Sequence, residues 1–154
     1  MLLIIVRNPC KRRNLIPAPK QKKDAMPVSS QRDKQLTQGA KYWLPVLICM
    51  GLIFYSSSIP GSEIPALFPF QDVTYHLFIY SLLGLCFSRA LKNTIFGIGL
   101  LEAILFTTIF GIVFGVSDEL HQAFIPYRNV SGLDVFIDGL GSLLGSLIQP
   151  FIKI

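Results

Sequence analysis

Charge is what this 154-residue chain has least of. Only 15% of its residues are Asp, Glu, Lys or Arg, while 51% are apolar and mean hydropathy is +0.53. An average soluble domain carries roughly 25% charged residues. The shortage excludes a disordered chain and argues against an ordinary soluble enzyme. Cysteine is scarce too. Cys10, Cys49 and Cys86 have neither metal-ligand nor redox spacing, so no disulfide framework is expected. Cys49 and Cys86 lie in apolar runs and read as packing residues. A signal peptide is not expected either. Met1 to Val6 is short for a signal core, and its basic cluster comes after it rather than before.

The charge that is present is segregated. Residues 1–41 hold ten basic and two acidic residues, whereas residues 42–154 hold four basic and seven acidic ones. A basic segment beside a hydrophobic body points to an anionic membrane surface. No groove-reading motif accompanies the charge, so no nucleic-acid partner is expected. Residues 8–39 are rich in Pro, Lys, Gln and Ser and read as a flexible tail. The expected domains are a basic cytoplasmic tail over 1–40 and a membrane domain over 41–154.

Four apolar runs build that domain: Tyr42 to Tyr55 continuing to Ser58, Val73 to Ala90, Thr94 to Val116, and Leu133 to Ile152. A soluble bundle needs a polar face on each helix. The third run offers almost none. Pro45 fits the first turn of the first helix, and Tyr42 and Trp43 suit a membrane interface. The loop from Ser56 to Asp72 has no Lys or Arg, whereas the next loop carries Arg89 and Lys92. The loop between the last two runs has Arg128 with two acids, and Lys153 stands at the C-terminus. This alternation predicts an all-α, four-transmembrane-helix bundle with both termini cytoplasmic. The expected location is a membrane, crossed several times.

On that topology the ionisable residues converge at the outer ends of the helices. Asp72 and His76 open the second helix, four residues apart and on one face, so Asp72 can orient the imidazole. Asp118, Glu119 and His121 come after the third helix, with His121 a solvated loop residue. Arg128 lies in the outer loop. Asp134 and Asp138 open the fourth helix and share a stripe with Gly141 and Gly145, whose Gly-x-x-x-Gly spacing lets another backbone approach. Buried acids are costly without partners, and Arg128 is their natural partner. Glu102 stands apart, roughly 10 Å in from the cytoplasmic side at about 1.5 Å per residue. The loop from Ser56 to Asp72, with three prolines, reads as a partial lid on the outer surface.

The string Ser117-Asp118-Glu119-Leu-His121-Gln122-x-Phe124-x-Pro126-x-Arg128, then Ser131-x-x-Asp134-x-x-x-Asp138-x-x-Gly141-x-x-x-Gly145, resembles the VanZ-like family of small bacterial membrane proteins. Asp72-x-x-x-His76-x-x-x-Tyr80 resembles its second signature, which usually begins Asp-Lys; Val73 replaces the Lys here. The segment Ser56, Ser57 and Pro60 is a weaker match. The resemblance covers about residues 42–150 and implies a multi-pass protein of the bacterial cytoplasmic membrane with a cell-envelope role linked to the glycopeptide teicoplanin.

Two functional classes fit. In the first, an outward-facing site binds or processes an anionic lipid or polyprenyl-linked envelope precursor. Glu119 and His76 are then the candidate catalytic proton carriers. Arg128 engages a phosphate, and Gln122, Asp134, Asp138, Asp72, Asp118 and Ser131 complete the substrate-binding set. In the second, the polar residues are an interhelical clasp and the protein works by assembly, as a homo-oligomer or with another envelope protein. His76 with the acids would suit hard, oxygen-favouring cations better than zinc. No spacing singles out such a set, and no cofactor is assigned.

Overall fold

The computed structural model describes residues 28–152; residues 1–27 and the last two, with most of the basic tail, lie outside the described residues. Four helices and no strands are present among them. These are α1 (Val28–Ser57), α2 (Gln71–Thr94), α3 (Leu100–Gln122) and α4 (Gly132–Ile148), with 3-10 turns at Gly61–Glu63 and Gln149–Phe151. The number of helices matches the number of apolar runs. Their boundaries do not.

α1 begins at Val28 rather than near Tyr42, which puts Pro45 inside the helix instead of in its first turn. With no N–H, Pro45 leaves the carbonyl of Lys41 without its usual helical donor. The larger correction concerns α3. It starts at Leu100, not Thr94, and runs through Gln122, not Val116. Thr94 instead ends α2. Gly97, at φ +80, makes the break between them in a conformation that side chains disfavour. Gly99 then caps α3, and Glu102 reaches back so that its Oε2 accepts the Gly99 N–H at 2.8 Å. Glu102 is therefore an exposed helix-capping residue in the first turn, not an acid deep in the span.

The apolar surface divides into an inward and an outward part. Val46, Cys49, Ile53, Ile79, Tyr80 and Leu83 are buried together, with Phe87, Phe110 and Phe114 stacked beside them. Leu105, Phe106, Ile109 and Val113 on α3 are exposed. Among the described residues two helical stretches are long and apolar enough to cross a membrane: Gly39–Ser57 at mean hydropathy 1.3 and Leu100–Gln122 at 2.1. Only 17% and 22% of those windows are buried inside the protein. The core helix of a soluble protein would be mostly buried. An outward face this apolar matches lipid rather than water.

α4 is held by close backbone approach. It packs most extensively on α2 and next on α3. A Cβ built on Gly145 would collide with the Ser81 carbonyl of α2, and one on Gly141 would press on the Leu77 carbonyl. Gly84 of α2 makes reciprocal room for the backbone at Ser142. On α3, Gly111 and Gly115 open space for Ser142 and Asp138. Small residues on three helices thus let α4 sit deep enough to bring its polar upper turns inside. The small stripe Gly141–Gly145 is a packing seam, as its spacing suggested.

Candidate functional site

The C-terminal ends of α1 and α3 and the N-terminal ends of α2 and α4 meet at one end of the bundle. The polar residues gather there in two layers. The deeper layer ties helices together. His76 Nδ1 lies 2.8 Å from Asp138 Oδ1, joining α2 to α4, and Asp138 is fully buried. Ser57 Oγ donates to Asp118 Oδ1 at 2.5 Å, joining α1 to α3. Gln122 Nε2 donates to Asp118 Oδ2 at 3.2 Å and to Ser57 Oγ at 3.3 Å.

Two expected partnerships change here. The carboxylate facing His76 is Asp138, not Asp72, because the neighbouring helix is closer to the ring than the preceding turn of its own helix. Asp72 is exposed. Arg128, expected to neutralise Asp134 and Asp138, turns away from them. Its Nε donates to the Ile59 carbonyl at 3.1 Å and its Nη2 to the Ser56 carbonyl at 2.7 Å. The Ser56 carbonyl, which also accepts the Ile59 N–H at 3.2 Å, belongs to the last turn of α1, and Ile59 lies just beyond it, so Arg128 ties down the exit of that helix. Among the described residues the ion pair of the bundle is His76 with Asp138. His121 is not a loop residue either. It ends α3, stacks on Phe54 with centroids 4.2 Å apart, and meets Ser58 Oγ at 3.0 Å.

The upper layer faces a cavity of about 490 Å³. Asp72, His76, Gln122, Arg128, Ser131 and Asp134 line its polar side. Ile64, Pro65, Phe68 and Phe70 from the α1–α2 loop, together with Tyr127, add apolar and aromatic lining. That loop does cover the site, and it is pinned there: the Gly61 N–H donates to the Pro126 carbonyl at 3.1 Å. Phe70 and Tyr127, both exposed, hold left-handed backbone conformations at φ 61 and 60. Such a conformation is strained for a bulky residue.

Glu119 lies just behind the cavity. It is 3% exposed. Its Oε2 accepts the Ser131 N–H at 2.7 Å, while its Oε1 is buried without a hydrogen-bond partner. Ser131 therefore serves through its backbone. One ligand-type atom from each of His76, Glu119 and Asp134 lies within 4.8 Å of the others. The structure thus brings the two candidate proton carriers, His76 and Glu119, into one group with Asp134. Asp118 and Asp138 stand behind it, and Asp72 stands at its rim. Four participants were not singled out from the sequence. Ser57 gave only a weak signal, in a match after the first helix. Gly111 and Gly115 repeat on α3 the Gly-x-x-x-Gly spacing noticed on α4. Tyr80 stacks parallel to His76 at 6.1 Å and stood out only as part of a motif.

An all-helical bundle with outward apolar faces and a polar cavity at one end defines a class of small helical membrane proteins. The chain belongs to the VanZ/LLP1 family, whose model matches residues 42–153. No curated protein and no solved structure matches the chain.

Proposed function

We propose that the protein is a multi-pass component of the bacterial cytoplasmic membrane whose cavity receives the anionic head group of a lipid or of a polyprenyl-linked envelope precursor. All four helices cross, both termini are cytoplasmic, and the cavity opens outward. The observation that carries this reading is the mixed lining of the cavity. Arg128, His76, Gln122 and Asn129 line it together with the acids Asp72 and Asp134 and with apolar and aromatic loop residues, so a polar head and an apolar chain would both find surface there. One edge of Arg128 is held by the Ser56 and Ile59 carbonyls, which leaves Nη1 and its edge to meet a phosphate. A role in the envelope response to glycopeptides such as teicoplanin accords with this reading and with family membership.

Native mass spectrometry in mild detergent tests it, with Arg128→Ala beside the native protein. The expected result is a co-purifying anionic or polyprenyl lipid whose occupancy falls at least about tenfold in the variant, with helicity retained. A well-folded native protein that carries no specific lipid overturns the reading. Orientation is tested by placing a cysteine at Ala123. It should react with an impermeant thiol reagent in intact cells.

A second reading has its own observation. His76–Asp138 and the Ser57–Asp118–Gln122 group each bridge two helices and are buried. These residues act as a clasp, whether or not the cavity takes a lipid. The two readings share His76 and Gln122, which belong to the clasp and also line the cavity.

A further inference from the structure

We infer that His76, Glu119 and Asp134 form a binding site for a divalent metal ion. The three come from α2, α3 and α4, and one candidate ligand atom of each lies within 4.8 Å of the others. Metal–ligand bonds of roughly 2.0–2.2 Å put the ligand atoms of one ion about 3–4 Å apart. Small side-chain rotations close that gap.

The atoms left over point the same way. Asp138 takes the Nδ1 side of His76, which fixes the tautomer and leaves the Nε2 lone pair as the ligand. The Ser131 N–H takes Oε2 of Glu119, which leaves Oε1 buried and unpartnered. Each of these ligands therefore has one atom oriented by the protein and one atom free. Asp134 is half-buried and lines the cavity, so an ion held here would face the cavity with open positions.

Charge supports the same assignment. Asp118, Glu119, Asp134 and Asp138 crowd one end of the bundle, and Arg128 bonds to the Ser56 and Ile59 carbonyls rather than to any of them. Asp118 meets only the neutral donors of Ser57 and Gln122. Four carboxylates with one guanidinium and one imidazole near them leave negative charge that a further cation in a low-dielectric site would offset. Two carboxylates with one imidazole suit Mn2+, and Zn2+ is the alternative ion of the same class. The site lies in the wall of the proposed head-group cavity but stands on its own residues.

The test uses the metal alone. Chelator-stripped, lipid-free protein in detergent is titrated with Mn2+ and separately with Zn2+, and bound metal is read by equilibrium dialysis with elemental analysis. We expect saturable binding of one ion per chain. Asp134→Asn and Glu119→Gln should each weaken it at least about tenfold, with melting temperatures near the native value. Gln at 119 can still accept the Ser131 N–H while losing the anionic oxygen. Glu102→Gln, at the opposite end of α3, should bind metal like the native protein. Absence of saturable binding of both ions overturns the inference. So does native-like affinity in folded Asp134→Asn. Metal binding without any co-purifying lipid would sustain this site while removing the lipid reading.

Discussion

The two ends of α3 carry the same residue to opposite effect. Glu102, near the start, is exposed and accepts a single N–H from Gly99. Glu119, near the finish, is 3% exposed, with one oxygen bonded to the Ser131 N–H and the other unpartnered. One glutamate completes a helix end that water could complete instead. The other sits where water is excluded and three further helices meet. A carboxylate in a helical membrane protein is thus not informative by its presence. What matters is whether other elements close around it.

That contrast can be broken most forcefully below the cavity. Asp138→Ala removes one partner of the buried pair and leaves His76 facing an apolar void. A loss of about 3–5 kcal/mol is expected, read as a fall in melting temperature or as loss of folded protein. Asp138→Asn should lose less, since the amide oxygen can still accept from Nδ1. The seam beneath is next. Gly145→Ala places a Cβ on the Ser81 backbone and should cost about 1–3 kcal/mol by thermal melting in detergent. Ser57→Ala, which removes one donor from Asp118, should cost about 1 kcal/mol. At the far end, Glu102→Gln keeps an acceptor for the Gly99 N–H and should give the smallest change of all. A large loss there would mean that the two ends are not different in kind.

Much of this architecture was legible in the chain. The four apolar runs became four helices, and the acids and histidines at the run ends came to one end of the bundle. The Gly141–Gly145 stripe packed as its spacing implied. The third helix was read least well. Its apolar run began at Thr94, and nothing in hydrophobicity alone separates Thr94–Ile98 from the helix that starts at Leu100. The separating signal was Gly97 with Gly99-x-x-Glu102, a cap with glycine where serine or threonine would have been conspicuous. At its other end the helix runs past Val116 to Gln122, which makes Asp118, Glu119 and His121 helical rather than loop residues.

Partner choice was the part that no spacing contained. Asp72 and Arg128 looked like the partners of His76 and of the α4 acids because they are near in sequence or opposite in charge. The structure gives His76 to Asp138 and Arg128 to the carbonyls of Ser56 and Ile59. Sequence by itself determined that this chain would be helical and apolar outside, because those properties arise from local pattern and composition. It also determined that its polar groups would share one end. Only the tertiary structure decided which atoms meet. Hydrogen bonds and ion pairs act over about 3 Å, and at that range the outcome depends on how closely glycines at 84, 111, 115, 141 and 145 let the helices approach.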